Sequence, residues 1–247
     1  MSLVVEHFAE LAVTRISRWI FNCYVLHGGN TCVVVDAGLP CTPDDLAGVL
    51  ARTGETVAAV SATHGHSDHV AGAPRLMADH QAPLYLSAVT IGYLDGFRQP
   101  RTPPPAKVAR IWPTLLSQPF DRAGLTGLVQ GASVAGFGGS KGMVGELLGP
   151  ARPLEDGQPL PGAPDWEVLY VPGHTDDSLA LWHAGSATLL SGDAVLTARG
   201  RAWFTPETVD DAAAQRSERR LRGLRVEHLL PGHGRPVHGT DVWGQAR

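Results

Sequence analysis

Thr63-His64-Gly65-His66-Ser67-Asp68-His69 puts three imidazoles and one carboxylate within six residues. Groups this close repel one another when charged and share few useful partners unless a metal ion draws them together. The run immediately before it, Val57 to Ala62, is short, apolar and β-rich, so it reads as a buried strand. A loop leaving such a strand sets its side chains at one rim of a sheet.

Outward from this point the chain alternates strands and helices. Phe21 to Leu26 and Thr31 to Val35 are β-rich runs joined by His27-Gly28-Gly29-Asn30, which is hairpin chemistry. Thr42 stands as the cap of a helix that begins with Pro43, carries Asp44 and Asp45 in its first turn, and aligns Leu46, Val49 and Leu50 on one face. After the histidine cluster, Ala71 to Asp79 reads as a helix and Pro83 to Ser87 as a strand. Trp166 to Val171, Ser178 to His183 and Thr188 to Ser191 are further strands; Thr208 to Leu224 is a polar helix and His228 to Leu230 a last strand. Between about Asp95 and Pro161 this rhythm stops. Pro103-Pro104-Pro105 and a Gly-rich apolar stretch through Leu125, Val129, Val134, Phe137 and Met143 suggest an insertion or lid in a single domain spanning 1–247, with a linker as the alternative.

Composition narrows the function. A chain of 247 residues with 43% hydrophobic and 18% charged residues fits a globular protein with a sizeable core. Net charge is −4, and Lys107 and Lys141 are the only lysines, so no basic stripe faces a phosphate backbone. Nucleic acid is not expected as a partner. Cys23, Cys32 and Cys41 are odd in number and lack CxxC spacing, as expected of reduced thiols. Glu6, Glu10, Arg15 and Arg18 interrupt the apolar N-terminal residues, so neither a signal segment nor a membrane span is expected there, and the cytoplasm is the expected compartment.

The six-residue cluster suits two metals better than one, with His64 and His66 pointing to one centre and Asp68 and His69 to another. Each centre needs further ligands. The chain offers His174 in Pro172-Gly173-His174-Thr175, Asp193 in Ser191-Gly192-Asp193, and His233 in Pro231-Gly232-His233-Gly234, all beside glycine at the ends of apolar runs. Asp193, with two carboxylate oxygens, is the natural bridge. His7, His27, His80, His183, His228 and His238 have no comparable setting and read as ordinary surface or core residues.

Taken in order, Thr-His-Gly-His-Ser-Asp-His, Pro-Gly-His174-Thr, Ser-Gly-Asp193 and Pro-Gly-His233-Gly resemble the metallo-β-lactamase superfamily of hydrolases. Asn22-Cys23-Tyr24 and Val33-Val34-Val35-Asp36-Ala37-Gly38 resemble its opening strands and first turn; only 95–161 falls outside the resemblance. The resemblance implies an α+β fold, a four-layer αββα sandwich with metals in a cleft at one edge of the two sheets. It implies that His64, His66 and His174 hold the first metal, that Asp68, His69 and His233 hold the second, and that Asp193 bridges. Two divalent ions, zinc by preference with manganese or iron as alternatives, would lower the pKa of a shared water, so that a metal-bridging hydroxide attacks a polarised carbonyl. Asp68 would assist the leaving group. Asp36 would orient a ligand histidine, although for Asp36, Asp176 and Asp177 turn and capping bonds explain the residue equally well.

Departures from known branches sort the substrate. True β-lactamases of the superfamily lack an aspartate at the bridging position, whereas Asp193 is present. Glyoxalase II enzymes continue into a helical domain, whereas this sequence ends fourteen residues after His233. Acyl-homoserine lactonases carry a tyrosine soon after the bridging aspartate, where this chain has Ala194-Val195-Leu196. The expectation is hydrolysis of a lactone, thioester or related ester, a small acyl compound, by a protein that could also pair as a homodimer. Trp112, Phe120, Phe137 and Met143 are candidates for the pocket wall, or plain packing within the insertion. Lys141 and Arg122 either meet a substrate anion or are solvated surface charge. Sulfur dioxygenases of the same superfamily, which use the equivalents of His64, His174 and Asp193 for one iron, are the rival reading, and a structural-metal module is a third.

Overall fold

The computed structural model of the chain describes residues 3–134, 150–244 and 246. Its first sheet contains β1 (Leu3–Phe8), β2 (Val13–Arg18), β3 (Phe21–His27), β4 (Thr31–Val35), β5 (Thr56–Ser61), β6 (Leu84–Ser87) and β7 (Ala151–Leu154), adjacent in that order. Pairing is antiparallel from β1 to β4 and parallel from β4 to β7. The rest of the chain supplies β8 (Pro159–Leu160), β9 (Ala163–Tyr170), β10 (Leu179–His183), β11 (Thr188–Gly192), β12 (Val195–Ala198), β13 (Arg201–Phe204), β14 (His228–Pro231) and β15 (Val237–His238). The second sheet runs β15-β14-β11-β10-β9-β8, and β12 and β13 form a separate hairpin.

Period-two side-chain alternation makes this a sandwich. Val33, Val35, Val168, Leu179, Leu181, Leu190 and Leu230 point into one shared core between the sheets. Their neighbours point outward under helices. Cys32, Val34 and Val60 pack with Leu46 and Val49 of α1 (Thr42–Thr53), and with the helices that follow β5. These are α2 (Ser67–Val70), which contributes Val70, and α3 (Ala73–His80), which contributes Leu76. Leu169, Ala180, Leu189 and Leu229 pack under Leu221 of a C-terminal helix, Asp211–Arg222. Strands buried on both faces read as continuous apolar runs, and each buried Val or Leu contributes about 1.5–3 kcal/mol. The expected αββα layers are therefore present.

Several boundaries differ from expectation. Thr42 does not cap α1; Cys41 is the capping residue and the Thr42 hydroxyl accepts from the Leu39 N–H at 3.2 Å. The helix expected from Thr208 starts at Asp211, because the carboxylate of Asp210 accepts from the Ala213 N–H at 2.9 Å. Strands β1 and β2 escaped the sequence reading because their charged residues mask the alternation. The expected insertion of 95–161 is also shorter. Residues 151–154 form the parallel edge of the first sheet and 159–160 the edge of the second, placed by cross-strand bonds that local sequence does not encode. Between β6 and β7 the described residues form α4 (Ala88–Leu94), α5 (Pro105–Val108), α6 (Trp112–Leu115) and α7 (Arg122–Val134), so the C-terminal helix is α8. Phe137, Lys141 and Met143 lie outside the described residues. Among the described residues no helix is long and apolar enough to cross a membrane. Cys23 and Cys32 are buried free thiols and Cys41 is a half-buried one.

Candidate metal centre

The seven expected ligands meet at one edge of the sandwich, each leaving a strand end or the turn after it. Beyond β5, His66 adopts an extended backbone and starts α2, which carries Asp68 and His69. His174 follows β9, Asp193 follows β11 and His233 follows β14. Three overlapping groups form: His64, His66 and His174; His64, His69 and Asp193; Asp68, His69 and His233. Within each, one potential ligand atom per residue lies within 4.8 Å of the others. Asp193 touches both halves. Its Oδ2 lies 3.6 Å from His174 Nε2 and 3.1 Å from His233 Nε2, and its Oδ1 lies 3.5 Å from His69 Nε2. Asp68 Oδ2 lies 3.2 Å from His233 Nε2.

The surroundings orient these rings. His174 Nδ1 donates to the Glu207 carbonyl at 2.7 Å, and His233 Nδ1 donates to the Ile20 carbonyl at 3.3 Å, so each turns Nε2 inward. Asp36 sits in the left-handed region with φ 60° at the end of β4. Its Oδ2 lies 3.1 Å from His69 Nδ1, while its Oδ1 accepts from the Thr63 N–H at 2.7 Å. Asp177 Oδ2 accepts from the Gly65 N–H at 2.8 Å and the Thr90 hydroxyl at 2.7 Å, which pins the turn between His64 and His66. Asp176, by contrast, pairs with Arg101 at the exposed surface. Gly232 is required by close approach: a Cβ there would lie 2.3 Å from Asp193 Oδ1 and 2.9 Å from His69 Cε1.

Sequence reading missed how the His233 loop is held. Asn22 Nδ2 donates to the Pro231 and Gly234 carbonyls, both at 2.8 Å, and the Tyr24 hydroxyl donates to the Pro231 carbonyl at 2.7 Å. Fully buried Arg15 braces Asn22 at 2.8 Å and also donates to Gln118 Oε1 at 2.8 Å, tying the segment between β6 and β7 to this loop. The available signal was a guanidinium inside the β-rich run Val13-Thr14-Arg15-Ile16.

Whether this donor set suits metal ions is decided by its orphaned atoms. His64 Nε2, His66 Nε2, His69 Nε2 and Asp193 Oδ1 are buried with no hydrogen-bond partner. Buried polar atoms are normally satisfied, and four converging orphans of ligand type fit divalent cations. The charges agree. Burial, reinforced by neighbouring imidazoles, drives His64 far below its ordinary value and His66 down to about 3. Burial also disfavours charge on His69 and His233, but carboxylates outweigh it: Asp36 and Asp193 raise His69, and Asp193 with Asp68 lifts His233 to about 10. The same pairings hold Asp68 and Asp193 well below the carboxylate range despite burial. A cluster that gathers protons in this way exchanges them for metal charge.

The remaining candidates divide. Trp112 is half exposed at the wall of a separate cavity, while Phe120 packs edge-on against Trp19 with ring centroids 5.1 Å apart. Arg122 is exposed.

A probable metallo-hydrolase of Bacillus subtilis (strain 168), YflN, is 29% identical over 233 residues, covering 85% of this chain and 77% of that protein. The solved structure of TTHA1623 in a di-iron-bound form is 26% identical with a TM-score of 0.57, covering 96% of this chain and 94% of that one. The metallo-beta-lactamase family protein TTHA1429 from Thermus thermophilus shares the fold, with a TM-score of 0.60 at 21% identity over 98% of this chain and 75% of that one. The profile of the metallo-beta-lactamase superfamily matches residues 18–233, so the chain belongs to that superfamily and is a metal-dependent hydrolase.

Proposed function

We propose that the chain is a dinuclear hydrolase of a lactone, thioester or related ester. In this reading His64, His66 and His174 hold one divalent ion, Asp68, His69 and His233 hold a second, and Asp193 lies between them, with zinc the preferred metal. The observation that carries the proposal is the reach of Asp193 toward His174 on one side and toward His69 and His233 on the other. When bound, a pair of divalent cations supplies Lewis acidity and brings the pKa of water at the site toward neutrality. The chain does the rest. Asp36, Asp177 and the Glu207 carbonyl fix the donors so that little reorganisation accompanies reaction. Asp68, whose side chain is more exposed than those of Asp193 and His69, faces solvent at the mouth of the cluster. Its Oδ2, held as a carboxylate, is placed to take the proton released by the attacking water and pass it to a departing alkoxide or thiolate.

The test is metal quantitation on zinc- and manganese-loaded protein, followed by a screen of lactones and thioesters. Two ions per chain with turnover are expected, and one ion per chain would overturn the dinuclear assignment. Asp193→Ala should lose metal and about 10³-fold in kcat together, the scale of several kcal/mol of transition-state stabilisation.

A further inference from the structure

A cavity of about 370 Å³ lies between α6 and the β12–β13 hairpin and is used by nothing described so far. Trp112 and Pro113 of α6 form one wall; Ala198, Arg199, Arg201 and Trp203 of the β12–β13 hairpin form the other. No carboxylate lines it. Among the described residues the guanidiniums of Arg199 and Arg201 make no hydrogen bond or ion pair, whereas those of Arg75, Arg101 and Arg220 are all paired with aspartates. Two indoles beside two unpaired guanidiniums make poor walls for a hydrocarbon chain. They suit a flat ring that carries more than one negative charge.

The backbone adds an independent observation. Ala198 pairs with Arg201, so Arg199 and Gly200 are the two-residue turn of the hairpin, with φ of 54° and 73°. Such a turn favours Asn-Gly, and a long side chain in the left-handed region costs stability. Here an arginine occupies that first position and is turned to the cavity wall.

The hairpin is also tied to the reacting end. It starts two residues after Asp193, and the Thr197 N–H donates to the His233 carbonyl at 3.2 Å. Asp193 and Ala198 are five steps apart along the chain, which caps their Cα–Cα span at about 17 Å. A ligand in the cavity can therefore be covalently joined, through a flexible arm, to an ester bond at the metal centre.

We propose that this cavity is a nucleotide subsite. A purine stacks on Trp112 and Trp203, its phosphates pair with Arg199 and Arg201, and an arm carries the scissile thioester to the cluster. The inference rests on the hydrolytic reading above and narrows it to nucleotide-tailed thioesters, of which acyl-coenzyme A is the probe.

Two measurements on zinc-loaded protein test it. In the first, adenosine 3′,5′-bisphosphate is titrated by calorimetry into the unsubstituted protein and into R199Q/R201Q. Saturable binding that weakens at least tenfold in the double variant is expected. Binding that persists in the variant assigns the nucleotide to the metal ions and overturns the subsite. The second compares KM for acetyl thioesters of coenzyme A and of N-acetylcysteamine. A tenfold or larger advantage for the nucleotide-tailed ester is expected, falling toward unity in R199Q/R201Q and retained in part by R199K/R201K. Equal KM values in the unsubstituted protein overturn the subsite while leaving the hydrolase intact. Arginine-dependent nucleotide binding without turnover of either thioester does the reverse, supporting the cavity and removing the thioester reading. Arg199→Asn separates ligand from fold, because it should raise the melting temperature while weakening nucleotide binding; loss of both would mark Arg199 as purely structural.

Discussion

The ligand loops and the segment between β6 and β7 are built to opposite specifications. Around the cluster, His64, His69, His174 and Asp193 are almost fully buried; His69, His174 and Asp193 are held by partners on other elements, and His64 by the neighbouring Thr63 hydroxyl. Between β6 and β7 three of the four helices have seven residues or fewer, and large apolar side chains stand in solvent. Phe97 is 86% exposed, Leu116 75% and Val129 62%. Apart from Leu3, Val4 and Val5 on the first edge strand, every exposed large apolar residue among those described lies between Phe97 and Val129. Chemistry demands fixed donors, whereas a surface that receives varied acyl groups tolerates looser packing.

This contrast can be broken. Gly232→Ala should have the largest effect, since no rotamer relieves a Cβ at 2.3 Å from Asp193 Oδ1. We expect metal content to fall by about 10- to 100-fold in affinity, measured by chelator competition; ordinary metal binding would show that the loop can yield. Asp36→Asn keeps the shape but removes the charge facing His69, and metal affinity should drop by about tenfold while the melting curve of the metal-free protein stays cooperative.

A pH series on metal-stripped protein reports the same rigidity. His69 and His233 are raised by Asp36, Asp193 and Asp68 against burial, so their protonated forms add stability that is complete below 6.5 and fades as pH climbs toward 10. His64 and His66 are lowered by burial and by neighbouring imidazoles, so the unfolded chain takes up their protons as pH falls below 6.5 and stability drops there as well. Melting temperature should therefore peak near pH 6.5 and decline by a few degrees on either side, about 1 kcal/mol or more. A flat profile between 6.5 and 9 would mean that the loops relax when metal leaves.

The smallest effect belongs to the exposed segment. Leu116→Ser should change stability by no more than about 0.5 kcal/mol in a thermal melt, yet shift KM among esters of different acyl length. A large loss of stability would place Leu116 in a core that its exposure denies.

Legibility followed the same division. The candidate donors could be read in advance because a metal needs particular atoms at particular spacings, and His64-Gly65-His66-Ser67-Asp68-His69 offers four of them in six residues. The central strands were readable because Val33-Val34-Val35 and Leu189-Leu190 are buried on both faces. Arg15 stood out only as a charge inside a β-rich run, and its role could not be read locally, since its partners Asn22, Gln118 and Gly234 lie up to 219 residues away. Residues 151–160 looked like the end of an insertion because an edge strand with Pro153 and Pro159 has little β-character until a neighbour pairs with it.

The sequence by itself determined which central runs are buried strands and which side chains are candidate metal donors, because apolar period and ligand chemistry are local properties of residue type. The tertiary structure alone decided which candidate donors come close to one another, that Asp193 reaches His174 on one side and His69 and His233 on the other, that Asn22 and Arg15 brace the His233 loop, and that two arginines and two tryptophans line one cavity. Those facts depend on distances between residues far apart in the chain, which only the packing of two sheets brings together.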